Sequence, residues 1–244
     1  MKTQKSNFLG FLLFTLILTL LMLLLCSIEN HLVRKKSKNV IGNREYTVIL
    51  DAGHGGEDGG TSSADGVLEK DLNLSISKNI GTYLKQCGFS VIYTRTEDIL
   101  LYDRNENYQG RKKILDLAAR LKLAREQENA IFVSIHMNAF PKKQYSGLQV
   151  YYSSNHPMSE TLASTIQQNV KSTLDNNNHR KIKKADSSIY LLDRLEKPAI
   201  LIECGFLSND AEAKKLSTSE YQKQLSLIIS KSIIECINNS SYER

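Results

Sequence analysis

Beyond its first 44 residues the chain has three cysteines, Cys87, Cys204 and Cys236, with no CxxC spacing and no even set. No disulfide framework follows from them. Internal repeats are also missing. An excess of charge of one sign is lacking over most of the chain, although the formal net charge is +6. Residues 1–44 hold seven of the 32 basic residues (Lys2, Lys5, Arg34, Lys35, Lys36, Lys38, Arg44) and, in Glu29, one of the 26 acidic ones, which leaves 25 of each in 45–244. The high pI therefore does not point to nucleic acid, and no nucleic-acid partner is expected. The glycine-rich stretch VILDAGHGGEDGG at 48–60 lacks the lysine followed by serine or threonine of a phosphate loop. No regular G-x-G-x-x-G opens a helix there either.

The most prominent positive feature lies at the start. Residues 8–25 read FLGFLLFTLILTLLMLLL without a charge. At about 1.5 Å per helical residue the run reaches roughly 27 Å, close to the hydrocarbon thickness of a bilayer. A buried core helix would show a polar face, and a cleaved signal would end in an A-x-A pattern; neither is present. Cys26 follows three leucines, where a lipoprotein signal would place a small residue. Residues 1–26 are expected to form an N-terminal transmembrane anchor. Residues 27–44 read as a basic linker suited to anionic headgroups. The positive-inside tendency would keep that flank in the cytoplasm, whereas long domains translocate largely regardless of flanking charge. Orientation stays open at this level.

Residues 45–244 are long enough for one domain with a sizeable core. Short apolar runs at 46–50, 90–94, 130–135, 147–152, 189–192 and 199–203 read as strands, and patterns at 70–87, 111–128, 159–174 and 218–237 as helices. Leu72, Ile76, Ile80, Tyr83 and Leu84 recur at spacings of three and four, as do Ile114, Leu117, Ala118, Leu121 and Ala124. Gly88 supplies a stop to the first helix. Strand runs rich in Val and Ile without strict alternation predict strands covered on both faces. The expected fold is α/β: a single domain whose mostly parallel sheet carries helices on both faces. The polar segments 97–113 and 175–188 read as loops, the first suited to lining a cleft.

Functional groups in open α/β sheets collect at the carboxyl ends of strands. His54 lies just past the first strand, within Gly53, Gly55, Gly56, Gly59 and Gly60, which permit unusual backbone angles and close approach. His136 follows AIFVSI, Glu203 ends AILIE, and Glu69 precedes the first long helix. Two imidazoles and a carboxylate with an open fourth position form a catalytic zinc ligand set, and a spare carboxylate beside it suits general acid/base work. Equally, His136 could be a satisfied core histidine, and Glu203 could pair with a lysine. Asp51 either orients a ligand histidine or stabilises the turn. Asn138 either meets substrate or caps its loop. Cys204 reads as a small buried residue, and His31, His156 and His179 as loop residues without a ligand.

In order, VILDAGHGG, EKDLNL, SIHMNA and ILIECGFLSN resemble the zinc-dependent N-acetylmuramoyl-L-alanine amidases over residues 46–236. The resemblance implies zinc bound by His54, Glu69 and His136, with Glu203 as the catalytic acid/base. Ala52 stands where proline is frequent, and Cys204 follows the catalytic glutamate; neither removes a ligand. Within the family the chain is most similar to the membrane-anchored spore-cortex amidases needed for germination. That likeness implies peptidoglycan as substrate and a catalytic domain outside the cytoplasm, facing the spore intermembrane space. It also implies a downstream muramic acid deacetylase and leaves room for an accessory protein. A zinc polysaccharide deacetylase and a catalytically silent wall-binding module are the alternatives.

Overall fold

The structure, a computed structural model, describes residues 16–25, 27–29, 46–102 and 110–240. It falls into two units, Met1–Gly42 and Asn43–Arg244. In the first unit residues 16–25 and 27–29 are helical. Residues 8–15 of the expected span lie outside the described residues, and among the described residues no helix is long and apolar enough to cross a membrane.

The second unit is the expected α/β domain. Its strands are β1 (Thr47–Ala52), β2 (Ser90–Tyr93), β3 (Ala130–Asn138), β4 (Gln149–Tyr152), β5 (Lys183–Lys184) and β6 (Ala199–Phe206). Its helices are α1 (Glu69–Gln86), α2 (Lys112–Arg125), α3 (Met158–Thr173), α4 (Tyr190–Arg194), α5 (Asp210–Leu216) and α6 (Ser219–Ser240). The six strands form one sheet in the order β2-β1-β3-β6-β4-β5. The first four of that order are mutually parallel. β4 runs antiparallel to β6, and β5 follows β4.

Why the strand runs lack alternation is visible in the core. Val48 and Leu50 of β1 face one apolar cluster with Leu72, Ile76, Ile80 and Leu84 of α1, Leu162 and Ile166 of α3, and Ile229 and Ile233 of α6. Ile49 faces a second cluster with Phe132, Leu121 and Ala124 of α2, and Leu191 and Leu192 of α4. Successive strand side chains point to opposite faces, and both faces are covered, so apolar residues follow one another along the strands without alternation.

Three expectations are corrected. The run at 189–192 is not a strand; it enters α4 and seats Leu191 and Leu192 on the second cluster. A four-residue apolar run cannot by itself distinguish strand from buried helix. The edge strand is instead β5, inside the stretch read as a loop, where two exposed lysines pair with Tyr151 and Tyr152. Lysine on an edge blunts further pairing, and it leaves no apolar signal. In α2, Ile114 is 60% exposed and Ala118 is also exposed, whereas Asp116 and Arg120 are buried. The helix turns its charged side inward because Arg120 pairs there with Asp51 of β1. α5 was not anticipated, although Asn209 caps it by accepting from Ala211 N and Glu212 N, a local signal of the N-x-x-E kind.

Phe132 is fully buried between sheet and α2. Phe132→Ala is expected to destabilise the domain by about 3–5 kcal/mol, read as a lower midpoint in denaturant unfolding.

Candidate active site

Parallel pairing brings the carboxyl ends of β1, β3 and β6 to one edge. Ala52 pairs with Ile135, and His136 pairs with Glu203. His54 stands two residues past β1, in the left-handed region at φ 62°. The chain then folds back through Ser62 and Leu68, an antiparallel bridge, and delivers Glu69 as the first residue of α1.

These three residues converge. Glu69 Oε1 lies 3.2 Å from His54 Nε2 and 3.0 Å from His136 Nδ1. The imidazole centroids are 5.0 Å apart. One ligand atom from each residue fits within 4.8 Å of the other two, close enough to hold one metal ion. Glu69 is 4% exposed, His54 16% and His136 21%, so the cluster is walled on the protein side and open on the other. Burial alone would raise the Glu69 pKa, but the hydrogen bonds and charges of His136 and His54 outweigh it and hold the carboxyl well below the usual range. Burial likewise disfavours the charged form of His54, and Glu69 with Asp58, whose Oδ2 is 2.9 Å from Nδ1, more than restores it. Two imidazoles and a stably ionised carboxylate are a donor set that fits zinc.

Glycines make that approach possible. A Cβ at Gly53 would fall on the His136 imidazole, and one at Gly60 would fall on Glu69 and His54. The glycine-rich stretch is therefore neither a phosphate loop nor an incidental turn. It lets the imidazoles and carboxylate come together.

Beside the cluster stands Glu203. Its Oε2 is buried and has no hydrogen-bond partner among the described residues. Burial pushes its pKa up from 4.5 to about 7, partly opposed by the charge of His136 and reinforced by that of Glu69. A carboxyl group that titrates near neutrality suits both taking and giving a proton. The next residue, Cys204, points to the opposite face and is buried in the apolar core. That burial raises its thiol pKa strongly, so it is no nucleophile.

Residues 48–235 match the family model described as N-acetylmuramoyl-L-alanine amidase. The chain belongs to this family. The germination-specific N-acetylmuramoyl-L-alanine amidase of Bacillus subtilis (strain 168) is 38% identical over 187 residues, 77% of this chain and 78% of that protein. Among solved structures, the CwlD amidase from Clostridioides difficile, determined in complex with the GerS lipoprotein, matches with a TM-score of 0.75 at 38% identity. The match covers 78% of this chain and 97% of that one. The N-acetylmuramoyl-L-alanine amidase from Clostridium difficile 630 matches with a TM-score of 0.68 at 33% identity, over 79% of this chain and 97% of that one.

The amidase domain holds its site with residues that sequence reasoning did not single out. Arg120 Nη1 donates to Asp51 Oδ1 at 2.6 Å and to the Ala52 carbonyl at 2.8 Å, and its Nη2 donates to the His54 carbonyl at 2.8 Å. Its Nε donates to Asp116 at 2.7 Å. Arg95 donates to the carbonyls of Ala52, Gly53 and Lys70. Two guanidinium groups thus grip three consecutive carbonyls, 52 to 54, and tie them to the first turn of α1. Asn73 adds a donor to the Gly53 carbonyl and another to Glu69 Oε1. Its spacing of four from Glu69, one helical turn, was a legible signal. The arginines gave none, since Asp51 and His54 lie more than 60 positions from Arg120.

The remaining candidates resolve plainly. Asp51 touches no histidine; it accepts from Thr94, Ser134 and Arg120 and so stabilises the turn through Arg120. The backbone carbonyl of Asn138, not its side chain, accepts from Leu207 N at 2.8 Å and ties the ends of β3 and β6. His156 accepts from Met158 N, His179 is exposed, and His31 lies outside the described residues. In the 97–113 segment, Asp98 accepts from Gly56 N and from Lys70, so its start packs on the glycine loop.

The raised Glu203 pKa has a stability consequence. The folded protein keeps this proton up to about pH 7, while the unfolded chain releases it near 4.5. Stability therefore falls as pH rises through that window, by roughly 3 kcal/mol in all. In chelator-treated protein, Glu203→Gln is expected to raise the melting temperature at pH 8 and to change it little at pH 4. Equal shifts at both pH values would contradict this.

Proposed function

We propose that the chain hydrolyses the amide between the lactyl group of N-acetylmuramic acid and L-alanine in peptidoglycan, in the cortex maturation that precedes spore germination. The observation that carries the reading is the unpartnered Glu203 carboxyl beside the convergent His54, Glu69 and His136, in a chain of the amidase family. In this reading His54, Glu69 and His136 hold zinc, which supplies Lewis acidity toward the scissile carbonyl when bound. Glu203 takes the proton of the attacking water. The same carboxylic acid then returns that proton to the amine nitrogen, because an amide leaves poorly without protonation. Its buried setting brings the ionised base and the protonated acid close in energy near neutral pH, so the ionised form can take the water's proton and the protonated form can return it. Arg120, Arg95 and Asn73 hold the backbone under His54 and so fix the cradle.

Residues 1–26 are proposed as a membrane anchor, 27–44 as its linker and 45–244 as an extracytoplasmic catalytic domain. The uncharged 18-residue run supports the anchor, and the location of peptidoglycan supports the orientation. The CwlD neighbour was solved with a lipoprotein, which supports an accessory partner here. A deacetylase acting on the peptide-free muramic acid would follow.

Glu203→Gln keeps the side-chain volume and an acceptor but cannot take a proton. It is expected to retain zinc while turnover drops by about 10²–10⁴-fold. His54→Ala or His136→Ala should lose both. Metal analysis and muropeptide digestion on one sample distinguish the cases: zinc lost in Glu203→Gln would make Glu203 a ligand. Free glucosamine amines instead of freed L-alanine amines would point to a deacetylase. Separately, residues 45–244 alone are expected to give soluble protein with a helix-and-strand circular dichroism spectrum; aggregated or unfolded material would contradict the proposed boundaries.

A further inference from the structure

A guanidinium group outside the His–Glu–His cluster shares its edge of the sheet. Gln149 of β4 pairs across the strands with Glu203, as Glu203 pairs with His136. The three residues therefore form a row on one face of the sheet. Gln149 is buried and donates to the Lys181 carbonyl at 2.7 Å, while its Oε1 accepts from Arg180 Nη1 at 2.8 Å. Arg180 Nε donates to the Ser146 carbonyl at 2.8 Å, and its guanidinium carbon lies over the ring of Phe206 at the end of β6, 4.3 Å from the centroid. Among the described residues Arg180 forms no salt bridge, although its charge is felt at Glu203, and its hydrogen bonds run from Nε and Nη1, not Nη2. Its half-exposed position keeps that nitrogen within reach of solvent. The side chain is thus held rigidly by a ring and two oxygens, with one end of its fork left over.

We infer that Arg180 is a specificity-determining residue that binds a carboxylate of the stem peptide on the leaving-group side of the scissile amide. The inference rests on the amidase reading above. A planar guanidinium with a spare N–H edge matches a carboxylate, and stacking on Phe206 removes rotamer freedom that binding would otherwise have to freeze. Distance supports the choice of group. Strands lie about 4.8 Å apart, so Gln149 stands roughly 10 Å from His136. The second stem residue, a γ-linked D-glutamate, carries a free α-carboxylate unless the wall is amidated. In an extended peptide that carboxylate lies two residues, roughly 7 Å, from the scissile carbonyl, on the side where Arg180 is held by Gln149 and Phe206. Phe140 and Tyr145, stacked edge-on and both partly exposed, border the same end of β6 and offer the peptide an apolar wall.

The test compares two synthetic muropeptides that differ only in D-glutamate or its α-amide at the second stem position. They are assayed with the full chain and with Arg180→Gln and Arg180→Lys. Wild type is expected to favour the free carboxylate by roughly 10–100-fold in kcat/KM, carried mainly by KM. Arg180→Gln should erase the preference by lowering kcat/KM on the free carboxylate well beyond any change on the amide, since loss of its charge near Glu203 acts on both substrates alike, and Arg180→Lys should keep part of it. Calorimetric binding of the free peptides to zinc-loaded wild type should show the same ranking without any turnover. Equal losses on both substrates, or a wild type indifferent to amidation, would overturn the inference and reduce Arg180 to a clamp on its loop. Should Arg180→Gln not fold, Arg180→Lys and the peptide affinities decide alone. A wild type that cleaves neither muropeptide would instead overturn the amidase reading beneath it.

Discussion

The ion pair between Arg120 and Asp51 is the constraint on which the site depends. Both side chains are almost entirely buried, where desolvation of two charges consumes much of what their attraction returns. What makes the burial tolerable is complete hydrogen bonding. Asp51 receives Thr94, Ser134 and Arg120, and its pKa stays lowered although burial is the largest opposing effect. Arg120 spends its remaining N–H groups on Asp116 and on two carbonyls of the loop after β1. Removing one member would strand the other, at about 3–5 kcal/mol. Such a network is better understood as a positioning device than as a source of net stability.

Position is what the loop needs. A histidine in the left-handed region is sterically disfavoured, and strained backbone of this kind persists only where the surroundings over-determine it. Here the carbonyl of that same histidine is gripped by Arg120, the preceding one by Arg95 and Asn73, and Gly53 leaves room for the His136 ring. The strain sits where His54 must face Glu69, and helix α2, strand β1 and the start of α1 jointly hold it there.

Stability and chemistry conflict at Glu203. A buried carboxyl with an unpartnered oxygen is unfavourable once ionised, and a partner would remove the penalty. A partner would also draw the pKa back toward 4.5 and occupy the oxygen that exchanges a proton in the proposed mechanism. The fold accepts the destabilisation on the central strand β6, which is paired on both sides by β3 and β4.

Much of this was legible in the sequence. Apolar runs without alternation announced a sheet covered on both faces, helical spacing placed α1, α3 and α6 to within a residue or a few, and the four ordered motifs marked His54, Glu69, His136 and Glu203. These signals are local: each is written in a few consecutive residues whose chemistry does not depend on distant partners. The short run at 189–192 was ambiguous because four apolar residues satisfy either a strand or a helix, and the edge lysines of β5 carry no pattern at all. Arg95, Arg120 and Arg180 were silent for a different reason. A surface arginine and a buried, fully bonded one look alike in sequence, and their partners lie tens of positions away. The sequence by itself determined which groups the proposed chemistry draws on. Only the tertiary structure decided how they are held, because the buried hydrogen bonds that fix the loop form when the strands and α2 pack, and no segment can make them alone.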